Sequence, residues 1–123
     1  MEEPLETSSP ESGTKLPTRD ETAALAAAGG DMGLAREMLE SLLLGLPREM
    51  AILSGRFEAE DWPGLGEAAH HMRGATSYCG LPALDTALQD LERSAKAGDA
   101  KRIVVRLQQV AQEAERLRAG FPL

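Results

Sequence analysis

From Asp20 to Gly120 the apolar residues recur at steps of three and four, and no stretch alternates apolar with polar as a half-buried strand would. Aspartates, prolines and glycines divide this pattern into one short segment and four long ones. The first, "DETAALAAAGG", opens on Asp20 as an N-cap and stops at Gly29-Gly30. The second predicts a helix from near Asp31 to about Glu60, with Leu34, Met38, Leu42, Leu46, Met50, Leu53 and Phe57 on one face. Pro47 falls inside it and removes one backbone hydrogen bond, which predicts a bend. The third starts at the N-cap Asp61, carries Pro63 in its first turn and runs to Cys79 before Gly80. The fourth runs from Pro82 to Gly98 with Leu84, Leu88, Leu91 and Ala95 on one side. The fifth is capped by Asp99 and carries Ile103, Leu107, Val110, Ala114 and Leu117 to a stop near Gly120. Short connections between long amphipathic helices favour antiparallel neighbours. The expected fold is all-α: an up-down antiparallel four-helix bundle, with the short extra N-terminal helix covering one end.

Residues 1–19 break the pattern. They are rich in Glu, Ser, Thr and Pro and carry almost nothing large and apolar, so burial cannot repay the entropy of ordering them. The expected organisation is a disordered linker or tail over 1–19, a helical domain over 20–119 and a short C-terminal tail over 120–123.

Charge and composition narrow the function classes. With 13 Lys and Arg against 20 Asp and Glu the formal net charge is −7, which opposes the phosphate contacts that dominate nucleic-acid affinity. No run of eighteen apolar residues exists, and the acidic start "MEEPLETSSPESG" lacks the apolar core of a signal peptide, so no direct membrane contact is expected. Cys79 is the single cysteine and cannot form an internal disulfide, which suits a cytoplasmic chain. On the core side of the third helix it reads as a small buried hydrophobe. At 123 residues there is no room for an ATP-binding domain beside the bundle, which excludes an autophosphorylating kinase.

Candidate chemistry lies in "AAHHMRGATSYCG", which holds both histidines of the chain. At about 100° per residue, Leu65, Ala68, Ala69, Met72, Ala75, Thr76 and Cys79 cluster within roughly 60° of Met72 and define the core face. On that wheel His70 falls about 160° from Met72 and His71 about 100° away on the opposite flank. His70 therefore faces out. His71 is expected at the edge of the packed face, against a neighbouring helix. Gly66 and Gly74, one turn to either side of His70, each cost about 1 kcal/mol relative to alanine in a helix, which suggests a surface cleared for a partner's close approach. Arg73, three residues on, is placed to hold a negative group on the imidazole. Adjacent histidines on a helix point apart and cannot share a metal, so no metal site is expected in this chain.

These residues carry a resemblance. His70-His71-Met72-Arg73-Gly74, with Gly80 six residues further on, is similar to the core motif of histidine-containing phosphotransfer (HPt) domains. "LAREMLESLL", "GATSYCG" followed by Leu81-Pro82, and "LERSAKAGD" extend the likeness to the HPt module of BarA/GacS-type hybrid sensor kinases, over about residues 20–119. Arg73 stands where lysine is common. The resemblance implies a phosphoryl carrier with His70 as phosphoacceptor and Arg73 stabilising the phosphate. It implies partner contacts through Gly66, Glu67, Gly74 and Ser77. The implied partners are receiver domains of a hybrid sensor kinase and of a response regulator, with this chain a monomer. It also implies no cofactor of its own, with Mg²⁺ supplied by the receiver. The rival reading is a helical interaction module that binds a receiver or kinase without phosphotransfer.

Overall fold

The computed structural model describes residues 16–121. Five helices form in chain order: α1 (Glu21–Ala27), α2 (Met32–Glu58), α3 (Trp62–Cys79), α4 (Pro82–Ala97) and α5 (Ala100–Gly120). No strand occurs among the described residues. The ends follow from capping chemistry. Asp20, Asp31, Asp61 and Asp99 each accept from a backbone N–H three residues on, at 3.0, 3.0, 3.0 and 3.2 Å. Pro82 opens α4, and Gly80 and Gly98 close α3 and α4 in the left-handed conformation, both with φ of 65°.

The four long helices make the up-down bundle. Sequential neighbours pack closely, α3 against α4 most of all, while α2 and α5 touch only lightly. α1 lies across one end, against α2 and α3. The core is aliphatic: Leu53, Leu65, Leu88, Leu91, Ile103 and Val110 are wholly buried. Each such side chain contributes about 1.5–3 kcal/mol relative to an exposed position. Cys79 is buried in this cluster, and burial pushes its thiol pKa up while the Arg19 guanidinium offsets part of that.

Two expectations change. The buried face of α2 is Ala35, Leu39, Leu43, Leu46 and Leu53; Leu34 is exposed, and Met38, Leu42, Met50 and Phe57 only flank the core. In the first half of α2 the buried positions fall one residue after the expected ones, while Leu46 and Leu53 are buried as expected. As expected, α2 continues through Pro47 without ending. Lastly, the bundle begins before residue 20. Pro17 accepts from Ala83 N–H at 3.3 Å, Leu16 accepts from the Arg116 guanidinium at 3.3 Å, and Arg19 lies 5.8 Å from the Phe121 ring centroid. Residues 16–19 are thus a strap along the bundle, and Phe121 packs on the core, so neither stretch is a tail. The remainder of both expected tails, 1–15 and 122–123, lies outside the described residues.

Candidate functional site

α3 presents His70 outward, with 73% of its side chain exposed, because Leu65, Ala69, Met72 and Thr76 occupy its inward face. The ring is not free. Nδ1 donates to Oε2 of Glu92 on α4 at 3.1 Å. Glu92 is 7% exposed and stands among the apolar positions of α4, between Leu88 and Ala95 one turn to either side. A buried carboxylate requires partners. Glu92 has three: Lys96 Nζ at 3.0 Å, the His70 ring, and an Arg73 terminal nitrogen at 3.5 Å. Burial pushes its pKa up, yet Lys96, His70 and Arg73 together outweigh this and hold the carboxyl below its ordinary value of 4.5.

This arrangement sets the proton on the imidazole. An ionised carboxylate only accepts hydrogen bonds, so in the neutral ring the proton sits on Nδ1. Nε2 then keeps its lone pair. Because Glu92 is clamped by Lys96 and Arg73, the ring is oriented by a group that is itself fixed.

Arg73 is half-buried between two carboxylates. Its Nε donates to Asp85 Oδ1 at 3.4 Å while a terminal nitrogen reaches Glu92. Thr76, fully buried, donates to the same Asp85 oxygen at 2.8 Å, and Ser77 donates to it at 3.4 Å.

The other expected site residues separate. Gly74 is exposed, and a Cβ there would meet nothing within 4 Å. Ser77 and Glu67 are exposed on the same helix. Gly66 corrects the expectation: it is buried against α4, where an added Cβ would lie 3.5 Å from that of Ala95. It lies in the contact between α3 and α4, where a Cβ would make ordinary van der Waals contact, and not on an open surface. His71 is exposed, not packed, and lines an apolar groove of about 670 Å³ between α2 and α3, with Leu34, Met38, Leu42, Met72 and Tyr78. Among the described residues no group of three or more His, Cys, Asp or Glu side chains is placed to hold a metal ion.

Glu92, Lys96 and Asp85 were not among the expected site residues. Glu92 had a signal, an acidic residue one turn from Leu88 and Ala95 on a helix whose apolar stripe contains both. Lys96 follows it at i+4. Asp85 had none, since an acid in the first turn of a helix is explained by the helix dipole alone.

A helical bundle that displays one oriented imidazole on its outer surface defines a class, that of histidine-presenting helical modules. Comparison with known proteins specifies it. The Hpt domain family matches residues 37–120, and the chain belongs to that family. It is 38% identical to the sensor histidine kinase GacS of Pseudomonas protegens over 92 residues, 75% of this chain and 10% of that protein. It is 32% identical to the signal transduction histidine-protein kinase BarA of Escherichia coli over 81 residues, 66% of this chain and 9% of that one. The chain thus spans about a tenth of the length of these relatives. The HPt domain of a hybrid histidine kinase from Shewanella shares the fold, with a TM-score of 0.61 at 22% identity over 86% of this chain and 97% of that one.

The coupling of Glu92 to folding has a testable sign. Its folded pKa lies below the unfolded value, so the charged network stabilises the fold above pH 4.5 and that stability is lost as pH falls through the lower folded pKa. Glu92→Gln is expected to flatten this acid slope in urea melts taken across the carboxylate range. A slope identical to wild type would show that Glu92 is not linked to folding.

Proposed function

We propose that this chain is a phosphorelay carrier that accepts a phosphoryl group on His70 from a receiver-domain aspartate and passes it to the receiver of a response regulator. The observation that carries the reading is the exposed His70 ring with Nδ1 tied to a buried, ionised Glu92. Nε2 attacks the phosphorus of the aspartyl phosphate, the bond from phosphorus to the aspartate oxygen breaks, and its electron pair leaves with the carboxylate. The Nδ1 proton stays on the ring, where Glu92 stabilises the cationic character that develops as the N–P bond forms. The reverse step returns the phosphoryl group to a second aspartate. In this reading the receiver would hold Mg²⁺, which would supply charge neutralisation at the phosphoryl group, leaving this chain to supply the nucleophile and Arg73.

The receiver covers His70, Arg73, Gly74, Ser77 and Glu67 together with adjoining residues of α2. Its negative phosphoryl group approaches where Arg73 and Lys96 lie beside the ring. No helix of the described residues is long and apolar enough to cross a membrane. The reading assigns the domain to the cytoplasm, acting as a monomer within or beside a sensor kinase.

Gly74 tests the surface directly. Gly74→Leu adds a side chain into open space and replaces a poor helix former, so the fold is expected to gain up to about 1 kcal/mol while transfer slows. A thermal melt and a time course of labelling from a phosphorylated receiver measure the two effects on the same sample. Transfer at the wild-type rate would remove Gly74 from the docking surface.

A further inference from the structure

Arg73 reaches Asp85 as well as Glu92, and the two contacts differ in kind. Glu92 is shared with His70 and Lys96. Asp85 touches neither of these. Its Oδ1 instead gathers donors from three residues of α3: Arg73 Nε at 3.4 Å, Thr76 Oγ at 2.8 Å and Ser77 Oγ at 3.4 Å. Thr76 is 1% exposed, so its hydroxyl has no access to water and its place is set by packing. That hydroxyl also lies 3.2 Å from the Arg73 carbonyl oxygen, but it has one proton, and the charged carboxylate at the shorter distance is the better acceptor. A buried, immobile donor thus fixes a carboxylate, and the carboxylate fixes the inner edge of a guanidinium whose outer edge faces the His70 side.

An arginine side chain has four rotatable bonds, and anchoring its Nε removes much of that freedom before any ligand arrives. We propose that Asp85, held by Thr76, is a positioning residue that aims Arg73 at the phosphoryl group carried on His70. The proposal rests on the phosphotransfer reading. When the phosphoryl group is present, the terminal nitrogens of Arg73 exchange Glu92 for a phosphoryl oxygen, while Nε stays on Asp85. Asp85 touches neither the phosphoryl group nor the imidazole, and its whole influence passes through Arg73.

That dependence supplies the test. Single-turnover transfer from a phosphorylated receiver is measured at saturating receiver for wild type, Asp85→Asn, Arg73→Ala and the double variant. Asp85→Asn is expected to slow transfer by roughly three- to tenfold, the range for the net effect of one ordinary hydrogen bond because the asparagine oxygen still accepts, with unchanged receiver affinity. In the Arg73→Ala background the same replacement is expected to change nothing. Thr76→Ser is expected to retain the wild-type rate and Thr76→Val to reproduce the slow one, which separates the hydroxyl from packing and gives a second route if Asp85→Asn folds poorly. Effects of Asp85→Asn and Arg73→Ala that multiply independently, or a wild-type rate in both Asp85→Asn and Thr76→Val, would overturn the proposal. Wild type that is never labelled would instead overturn the phosphotransfer reading beneath it, a distinct result visible before any variant is compared.

Discussion

Replacing His70 by glutamine is expected to reduce labelling by a phosphorylated receiver to background, while His71→Ala labels as wild type does. The contrast follows from the environment of each ring. His70 has one nitrogen tied to Glu92 and most of its side chain in solvent, so it combines a defined tautomer with access. His71 is exposed as well, but among the described residues no hydrogen bond to its ring is present and it faces the α2 groove on the opposite flank of α3. Access alone does not distinguish them; orientation does. Glutamine keeps a polar side chain that Glu92 can accept from, so the fold loses little, yet it offers no nitrogen nucleophile. The label on wild type is expected to be labile in acid and stable in base, as a phosphoramidate is. Label surviving in His70→Gln would sink the assignment. A wild type that binds the receiver and is never labelled would favour the interaction module without turnover.

The helix ends were legible because they are written in residues with few structural uses. Asp at N-caps and Gly at left-handed C-caps act through local hydrogen bonds and backbone conformation, which depend little on what packs above. The inward face of α2 was not legible to the same degree. Leu42, Leu43 and Leu44 are consecutive, and Met38 adjoins Leu39, so several stripes fit the periodicity equally well. Packing against α3 and α5 chooses among them, and that information is non-local. Gly66 shows the same limit. A glycine inside a helix suggests a cleared surface, but sequence does not say whether that position faces solvent or a neighbouring helix. His70 was legible from its wheel position alone. Its partner Glu92 lies 22 residues away, and only the fold brings the two to 3.1 Å.

Gly80→Ala is expected to cost the fold more than Gly98→Ala, which is its internal control. Both glycines end helices with φ of 65°, so alanine at either meets the left-handed penalty of about 1–2 kcal/mol. Their surroundings differ. At Gly98 an added Cβ meets nothing within 4 Å, whereas at Gly80 it would lie 2.6 Å from the Asp20 carbonyl oxygen and 3.0 Å from the Ala24 nitrogen. Those are backbone atoms of the α1 N-cap, directly after the strap, and of α1 itself, and Asp20 N–H donates to the Gly80 carbonyl at 2.8 Å. They cannot rotate aside as a side chain would, so the strap and α1 must shift together, adding a cost of about 1–3 kcal/mol. Urea melts of the two variants are expected to differ by that amount, with amide exchange at Asp20 and Ala24 accelerated in Gly80→Ala alone. Gly80 lies ten residues along α3 from His70, about 15 Å at 1.5 Å per residue, so phosphoryl labelling of the folded fraction is expected to persist. Equal losses at Gly80 and Gly98 would mean that the contact between Gly80 and the start of α1 contributes nothing, and that backbone conformation alone selects glycine at both positions.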